Sequence, residues 1–199
     1  MTILNLSSDG LHSQLIVLAR VATKYGPIDK DELISLCAGR DEDGNERDTG
    51  RLRAALARWL ELGLFIDDAG AIRVQIESKR GATLDELTDL FPAVCRHLVL
   101  PEQHALPLWA PGGAATEDVA GRTADFVRGL SWALAQDIYS LPSGTDEIEA
   151  MDRGQMASDF IFLNKTRWPG LRVWARYLGF ASGDDSNLLF DPTNAVHAE

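Results

Sequence analysis

The chain has 199 residues, 45% of them hydrophobic and 25% charged, which is the composition of an ordinary globular protein. It has no apolar run near the roughly 20 residues that span a bilayer, and its N-terminus lacks the features of a signal peptide. We therefore expect a cytoplasmic protein without membrane contact. The net charge of −11 excludes sequence-independent coating of nucleic acid, which needs a basic surface, but it allows a local basic helix.

The acidic residues are concentrated in the middle of the chain. Residues 81–150 contain 3 basic and 11 acidic residues, whereas residues 1–80 contain 11 and 13. We expect the acidic middle to face solvent or a basic partner protein, and not nucleic acid.

Two helices and an exposed loop are predicted at the start of the chain. Apolar residues recur at helical spacing from about residue 10 to residue 24, and Ser8 or Asp9 is the expected N-cap. Asp29 should cap the second helix, because Glu32 follows it three residues later as in a capping box. Residues 39–46 are polar and contain glycine, which predicts an exposed loop.

Residues 48–74 predict a third helix followed by a hairpin. Apolar residues recur at helical spacing around Trp59 and define an inward face. Gly63 stands where a left-handed helix end belongs, since glycine adopts that conformation without a side-chain penalty. Two short strand patterns then flank a turn signal at residues 67–70. Helix, glycine and hairpin together form the last half of a winged helix-turn-helix.

The middle of the chain predicts two further helices separated by a linker. Thr83 and Glu86 form another capping box, which should begin a helix. Residues 101–116 are rich in proline and glycine and should be extended in part. A long helix is expected after them, from about Val119 to Ile138.

The end of the chain repeats the pattern of helix, glycine and hairpin. Asp152 with Gln155 should cap a helix that continues through residues 156–163. A second helix should cover residues 165–177, and Gly179 then takes the position of the earlier glycine stop. A turn rich in serine, glycine and aspartate follows between two short strand patterns.

These elements predict a mainly α fold with small β-hairpin wings, arranged as a tandem winged helix-turn-helix. The predicted domains are an N-terminal winged helix at residues 1–80, an acidic helix and linker at 81–116, and a C-terminal winged-helix-like domain at 117–199. The first and last of these segments resemble the winged-helix superfamily. Winged helices bind DNA, RNA or protein, so the fold alone does not decide the function.

A narrower resemblance rests on several short segments. They are residues 3–11, Arg58-Trp59, Arg167-Trp168-Pro169-Gly170, Leu178-Gly179-Phe180 and Asp191-Pro192-Thr193. They resemble the G component of bacterial 7-deazaguanine DNA-modification and phage-defence clusters. The resemblance implies a subunit that works beside the other proteins of such a cluster. Two alternatives stay open, a truncated relative of that component and a similar subunit from a different defence system.

No catalytic or metal site is predicted. The four histidines are scattered, and none is followed by a ligand partner at i+3 or i+4. The chain contains neither a GxSxG nor a GxxxxGK[ST] motif. Cys37 and Cys95 are far apart and should be buried free thiols, with a disulfide as the alternative. We expect no cofactor, and a protein that is not an enzyme.

The candidate nucleic-acid contacts are basic residues of two helices. In a winged helix that binds DNA, the third helix enters the major groove, and the arginines of this helix are expected to lie largely off its apolar face. The helix at residues 165–177 has basic residues, interleaved aromatic residues and no acid, a combination that can bind nucleic acid by charge and stacking. The candidates are Arg51, Arg53, Arg58, Lys165, Arg167, Arg172 and Arg176. The alternatives are a solvated helix face, for which Asp48 and Glu61 offer ion-pair partners, and an acidic protein surface as the ligand.

Two further features of charge bear on this hypothesis. Both predicted turns carry two aspartates, at residues 67–68 and 184–185, which phosphate would repel. Any DNA contact is therefore expected from helix faces. Arg172 and Arg176 lie four residues apart, and nothing nearby in the sequence relieves their repulsion, so we expect an anionic partner there.

The function expected from the sequence is that of a non-catalytic winged-helix subunit or adaptor of a bacterial DNA-targeting phage-defence or DNA-modification complex. Its partners would be the other subunits and, through the basic helices, duplex DNA. The alternative is a stand-alone winged-helix transcriptional regulator that binds duplex DNA as a dimer.

Overall fold

The computed structural model describes residues 3–4, 11–40, 42–44, 49–76, 83–109, 121–137 and 139–197. The chain divides into two compact units. We call Gly10–Leu98 the N-terminal unit, and Met1–Asp9 together with Val99–Glu199 the C-terminal unit. The predicted domain boundaries at residues 80 and 116 stay a prediction.

Helices and small antiparallel sheets make up the described residues, which confirms the mainly α class with small hairpins. No helix within these described ranges is both long and apolar enough to cross a membrane.

The N-terminal unit is a group of helices with a small sheet. Its elements are α1 (Leu11–Tyr25), β1 (Ile28–Asp29), α2 (Lys30–Ala38), α3 (Gly50–Glu61), β2 (Phe65–Asp68), β3 (Ala71–Val74) and most of α4 (Leu84–Val99). Strand β3 lies between β1 and β2 and is antiparallel to both. Helix α1 packs against α2, α3 and β3, so that Leu15, Leu18 and Trp59 are fully buried.

The C-terminal unit is also mainly helical. Its elements are α5 (Glu102–Ala105), α6 (Ala124–Leu134), α7 (Thr145–Gln155), α8 (Arg167–Tyr177), β4 (Ala181–Gly183), β5 (Leu188–Phe190) and α9 (Thr193–His197). Helix α8 packs against α6, α7 and β4. The backbone N–H groups of Ile3 and Leu4 donate to the buried carboxylate of Asp125 on α6. Ile3 and Leu4 are therefore part of this unit's core.

A chain of buried aromatic rings joins several elements of the C-terminal unit. Trp132 contacts Phe162, Phe162 contacts Trp168, and Trp168 contacts Phe190, with ring centroids 5.3, 5.5 and 5.8 Å apart. Edge-to-face and offset ring pairs of this kind add about 0.5–1.5 kcal/mol each beyond the area they bury. Trp174 of α8 is fully buried as well.

The predicted helix ends and caps are confirmed at several positions. Asp29 Oδ1 accepts hydrogen bonds from the N–H groups of Asp31 and Glu32 at 2.8 and 3.1 Å. Gly63 and Gly179 have φ values of +87° and +80°, the left-handed conformation that ends a helix and favours glycine. Both predicted hairpins follow these glycines.

The predicted helix over residues 156–163 is wrong. Asp152 does not begin a helix but lies near the end of α7, and the chain is irregular from Met156 to Thr166. The carboxylate of Asp152 instead accepts hydrogen bonds from the backbone N–H groups of Ile161 and Phe162 at 2.7 and 2.9 Å. The acid stabilises the segment after the helix, a contact that local spacing does not reveal.

Other predictions need smaller corrections. The long helix expected at residues 119–138 is shorter in the structure, which forms α6 from Ala124 to Leu134. Leu36 of α2 and Leu90 of α4, although apolar, are about half exposed. Helix α5 lies within the predicted linker. The first N-cap and parts of the 39–46 loop and of the 101–116 linker lie outside the described residues.

Candidate nucleic-acid interface

The side of helix α3 opposite its buried face has short side chains in its middle. Its apolar face is buried against α1 and α2 through Leu52, Leu56 and Trp59. On the opposite side, Ala57 is exposed and Ala54 is half-buried, so the middle of this outer stripe has short side chains, and the exposed Glu61 follows on the same side at the end of the helix. Helical geometry places both alanines on one side, because three residues advance the helix by less than one turn.

Two exposed arginines lie on either side of this stripe. Arg53 Nη1 is 2.9 Å from Asp31 Oδ1 on α2, and both side chains are largely exposed. An exposed ion pair of this kind contributes about 0–1 kcal/mol, so a phosphate can compete for the Arg53 guanidinium. Arg51 is exposed, and no ion pair of Arg51 with another described residue occurs. The two positions differ by two residues and therefore point to different sides of the helix.

Arg58 does not belong to this surface. We expected it largely off the apolar face, but only 6% of the residue is exposed, and it is engaged in an interaction of its own. Arg58 precedes Trp59, at the border of the buried face, where a long side chain can lay its methylene groups along the core. Arg58 therefore stabilises the packing of α3 and is not exposed for a ligand.

Arg167 is also buried. Its Nη1 donates to the carbonyl oxygen of Ile161 at 2.7 Å, and burial lowers the pKa of the guanidinium to about 10. Because Asp152 binds the N–H of the same Ile161, two buried charged side chains hold one backbone segment. Arg167 is therefore inaccessible to a large ligand, although sequence analysis selected it as a candidate contact.

Arg172 and Arg176 share a carboxylate from their own hairpin. The Nη2 atoms of both arginines lie 2.8 Å from Asp185 Oδ1. Arg172 also donates to the carbonyl oxygens of Asp185 and Ser143, at 2.6 and 3.3 Å. The anion that we expected from a partner is thus supplied within the chain. The sequence pattern did not predict this pairing, because the turn aspartates carry no local signal that they fold back onto the arginines of α8.

The last predicted contact, Lys165, is highly exposed. Its Nζ lies 3.3 Å from Asp146 Oδ1, and the side chains are 78% and 82% exposed. An ion pair this exposed leaves the ammonium group accessible.

The turns of both hairpins carry aspartates that accept hydrogen bonds within the turn. Asp67 Oδ1 accepts the N–H of Gly70 at 2.7 Å. Hydrogen bonds from Ser186 and then Asn187 lower the pKa of the Asp184 carboxyl below its usual range. Charged turn tips disfavour phosphate, which leaves the outer face of α3 as the stronger candidate surface.

The first turns of α4 carry an exposed acidic cluster. We define the acidic surface as Asp85, Glu86 and Asp89. Asp85 forms an exposed ion pair with Arg20 at 3.1 Å, and Glu86 closes the predicted capping box by accepting the N–H of Thr83 at 2.7 Å. These acids lie in the middle segment of the chain that we expected to face a basic partner or solvent.

Comparison with known proteins provides the family. A family model described as DpdG-like matches residues 1–199. No curated protein and no solved structure matches the chain. The family match confirms the predicted resemblance to the G component of 7-deazaguanine modification clusters, and it associates the chain with a multi-gene DNA-modification or defence cluster. The chain belongs to the DpdG-like family.

Proposed function

We propose that the chain is a non-catalytic subunit or adaptor of a bacterial DNA-targeting defence or DNA-modification complex, and that it contacts duplex DNA through α3. The observation that carries this proposal is the DpdG-like match, because it extends over the whole chain and not over one small domain. The site that we assign to DNA rests on the surface of α3.

The order of elements supports a winged-helix interpretation of the N-terminal unit. Helix α1 is followed by a short strand, two helices and a hairpin, and β3 lies between β1 and β2. In a winged helix, α3 is the helix that enters the major groove, and the β2–β3 hairpin is the wing. The C-terminal unit repeats the helix, glycine and hairpin with α8, Gly179 and β4–β5, although its sheet has two strands.

The shape and charge of α3 suit the major groove. Alanine side chains in the outer stripe allow the helix to approach base edges closely, while longer side chains would hold it away. Arg51 and Arg53 on the two sides of the stripe can reach phosphates or guanine edges. The acidic turn of the β2–β3 hairpin would then point away from the duplex.

The other subunits would meet the acidic surface on α4. Three exposed carboxylates in the first turns of one helix attract a basic protein and repel phosphate. A protein-facing surface and a DNA-facing surface on one chain are the properties of an adaptor.

The proposal of a non-catalytic role rests on the sequence and on the use of buried charges. The sequence contains none of the nucleophile or phosphate motifs considered above. Asp125, Asp152 and Arg167 are buried, and each of them binds backbone groups of its own unit. Buried side chains that bind backbone groups stabilise the fold, and they are not available for a substrate.

Titration of a fluorescently labelled duplex, followed by anisotropy at several salt concentrations, tests the DNA contact. Each lost phosphate contact lowers the slope of log affinity against log salt by about 0.9. The double variant Arg51→Ala with Arg53→Ala should therefore bind more weakly and flatten the slope by up to about 1.8.

A matched control removes two other surface charges. Arg20→Ala with Arg153→Ala changes the net charge equally, and neither arginine belongs to α3, since Arg20 pairs with Asp85 and Arg153 with Glu149. The control should change affinity and slope much less. Equal effects of the two double variants, or no duplex binding by the unaltered chain, would contradict the assignment of α3.

A further inference from the structure

A cavity in the C-terminal unit is used by none of the roles described above. Its volume is about 310 Å³. Residues 139–143 form one wall, Trp168 lies beneath it, and residues 186–189 of the β4–β5 hairpin form the other wall. This volume lies at the lower end of the roughly 300–1,000 Å³ typical of small-ligand pockets, so it suits a ligand of one or two rings.

Hydrogen bonds hold both walls in place. The carbonyl oxygen of Ser143 accepts from Trp168 Nε1 at 3.1 Å and from Arg172 Nη1 at 3.3 Å. Arg172 Nη2 binds the carbonyl oxygen of Asp185 in the facing hairpin at 2.6 Å. One guanidinium therefore connects the two walls. A cavity held open in this way loses little freedom when a ligand enters.

Tyr139 stands on the first wall with an unusually exposed ring. The residue is 87% exposed, the largest value among the large hydrophobic residues of the described chain. Its backbone N–H donates to Asp137 Oδ1 at 3.2 Å, which fixes the start of the wall, and the residue lines the cavity while most of its surface stays exposed. An exposed aromatic ring beside a polar cavity is a platform on which another flat ring can stack.

The second wall offers a paired donor and acceptor. The backbone N–H of Asn187 binds Asp184 Oδ1 at 3.0 Å, whereas its exposed side-chain amide has no hydrogen-bond partner among the described residues. An asparagine amide presents an N–H donor and an oxygen acceptor in one plane. This is the arrangement that binds two adjacent polar atoms on the edge of a nucleobase.

The charges around the cavity favour an uncharged ligand. Arg172 and Arg176 face Asp185, and Asp184 lies in the same turn, so two positive and two negative groups balance. A free phosphate, a carboxylate or a metal cation would meet no net opposite charge there. A neutral heteroaromatic ring needs no opposite charge in order to bind.

We infer that this cavity binds a single nucleobase, stacked on Tyr139 and hydrogen-bonded by the Asn187 amide. The base could come from a free nucleoside or from an unpaired position of a nucleic-acid strand, and both sources present the same ring. The phosphates of a strand would have to lie away from Asp184 and Asp185, which disfavour them. The inference is independent of the duplex contact proposed for α3. It concerns residues of the C-terminal unit and an unpaired base.

Fluorescence of 2-aminopurine tests the inference, because stacking on an aromatic ring quenches it. Three probes are titrated with the full chain: 2-aminopurine nucleoside, a short thymidine strand containing one 2-aminopurine, and that strand annealed to its complement. Quenching of the single strand alone assigns the site to an unpaired base of a strand. Equal affinity for the nucleoside assigns it to the free nucleoside. The annealed strand should be quenched least by the protein.

Variants of the two ligand-facing residues provide the decisive comparison. Tyr139→Ala should weaken binding about 5- to 100-fold, the range expected for the loss of one base–aromatic stack. Tyr139→Phe should keep most of the affinity, and Asn187→Ala should weaken it about tenfold. Since Tyr139 is so exposed, its substitution should leave the circular dichroism spectrum unchanged.

Tyr25→Ala is the matched control. It removes another exposed tyrosine, in the N-terminal unit, and should leave quenching unchanged. Two results would overturn the inference: no quenching of any probe by the unaltered chain, or equal affinity of the Tyr139→Ala variant and the unaltered chain. Either can occur while Arg51 and Arg53 still control duplex binding, so this inference and the proposed function fail separately.

Discussion

Substitution of Asp152 should destabilise the C-terminal unit strongly. The buried carboxylate accepts hydrogen bonds from Ile161 N–H at 2.7 Å and from Phe162 N–H at 2.9 Å. A hydrogen bond to a charged group contributes about 1.5–3 kcal/mol, and a buried donor left without a partner carries a desolvation cost of similar size. Both bonds end on one oxygen and are not additive, so we expect Asp152→Ala to cost about 2–5 kcal/mol.

Urea unfolding followed by near-ultraviolet circular dichroism measures this effect, since the aromatic rings of the unit report on its packing. Asp152→Asn keeps one acceptor oxygen and should fall between the unaltered chain and Asp152→Ala. Asp146→Ala is the matched control, because it removes an aspartate from the same helix that is 82% exposed. It should cost less than about 1 kcal/mol. Equal unfolding free energies for the Asp152→Ala and Asp146→Ala variants would refute the reasoning.

Three further predictions concern the core, the pH response and the acidic surface. Trp59→Ala should cost about 3–5 kcal/mol of unfolding free energy in urea, because the ring is fully buried. Burial lowers the pKa of His104 below its usual 6.5, so the unfolded chain binds a proton first as the pH falls. Stability should drop as the pH falls below about 6.5, and His104→Gln should flatten that part of the profile. Changing Asp85, Glu86 and Asp89 to lysine should weaken binding to a partner protein, measured by pull-down, and leave duplex affinity unchanged or raised.

Two control variants and one contrary result distinguish these three predictions from nonspecific effects of substitution. Trp59→Ala is compared with Tyr25→Ala, which removes a half-exposed ring and should cost much less. His97→Gln alters an exposed histidine, and a pH profile equal to that of His104→Gln would contradict the assignment of the pH effect to His104. A clear loss of duplex binding in the triple lysine variant would show that DNA contacts the acidic surface.

Local signals in the sequence predicted much of the fold. Gly63 and Gly179 mark helix ends because few other residues adopt their φ values, and the capping boxes at Asp29 and Thr83 join atoms only two or three residues apart. The hairpins follow from turn residues between short apolar runs. In each case the physical cause lies within a few residues of the feature.

Long-range contacts explain what the sequence did not predict. Asp152 has the spacing of a cap, but its partners lie nine and ten residues later. Asp185 lies in the turn between β4 and β5, and it pairs with Arg172 and Arg176 of the preceding helix α8. Strand β1 has two residues, too few to show an alternating pattern.

The candidate site was predicted less completely than the fold. Helical periodicity assigned the arginines of α3 to its outer face, and Arg51 and Arg53 are indeed exposed. It could not predict that Arg58 and Arg167 are buried, because an arginine at the border of an apolar face can turn either way. No pattern in the sequence indicated that Tyr139 is exposed, since its exposure depends on where α6 ends.

Co-expression with the other proteins of the modification cluster tests the central claim most directly. The complex would be separated by size-exclusion chromatography, and its mass measured by light scattering. We predict that the chain elutes with at least one of these proteins, at a mass well above its own 21.8 kDa, and that the triple lysine variant of the acidic surface elutes apart from it. Elution of the unaltered chain alone, at 21.8 kDa or a simple multiple of it, would contradict its assignment as a subunit or adaptor.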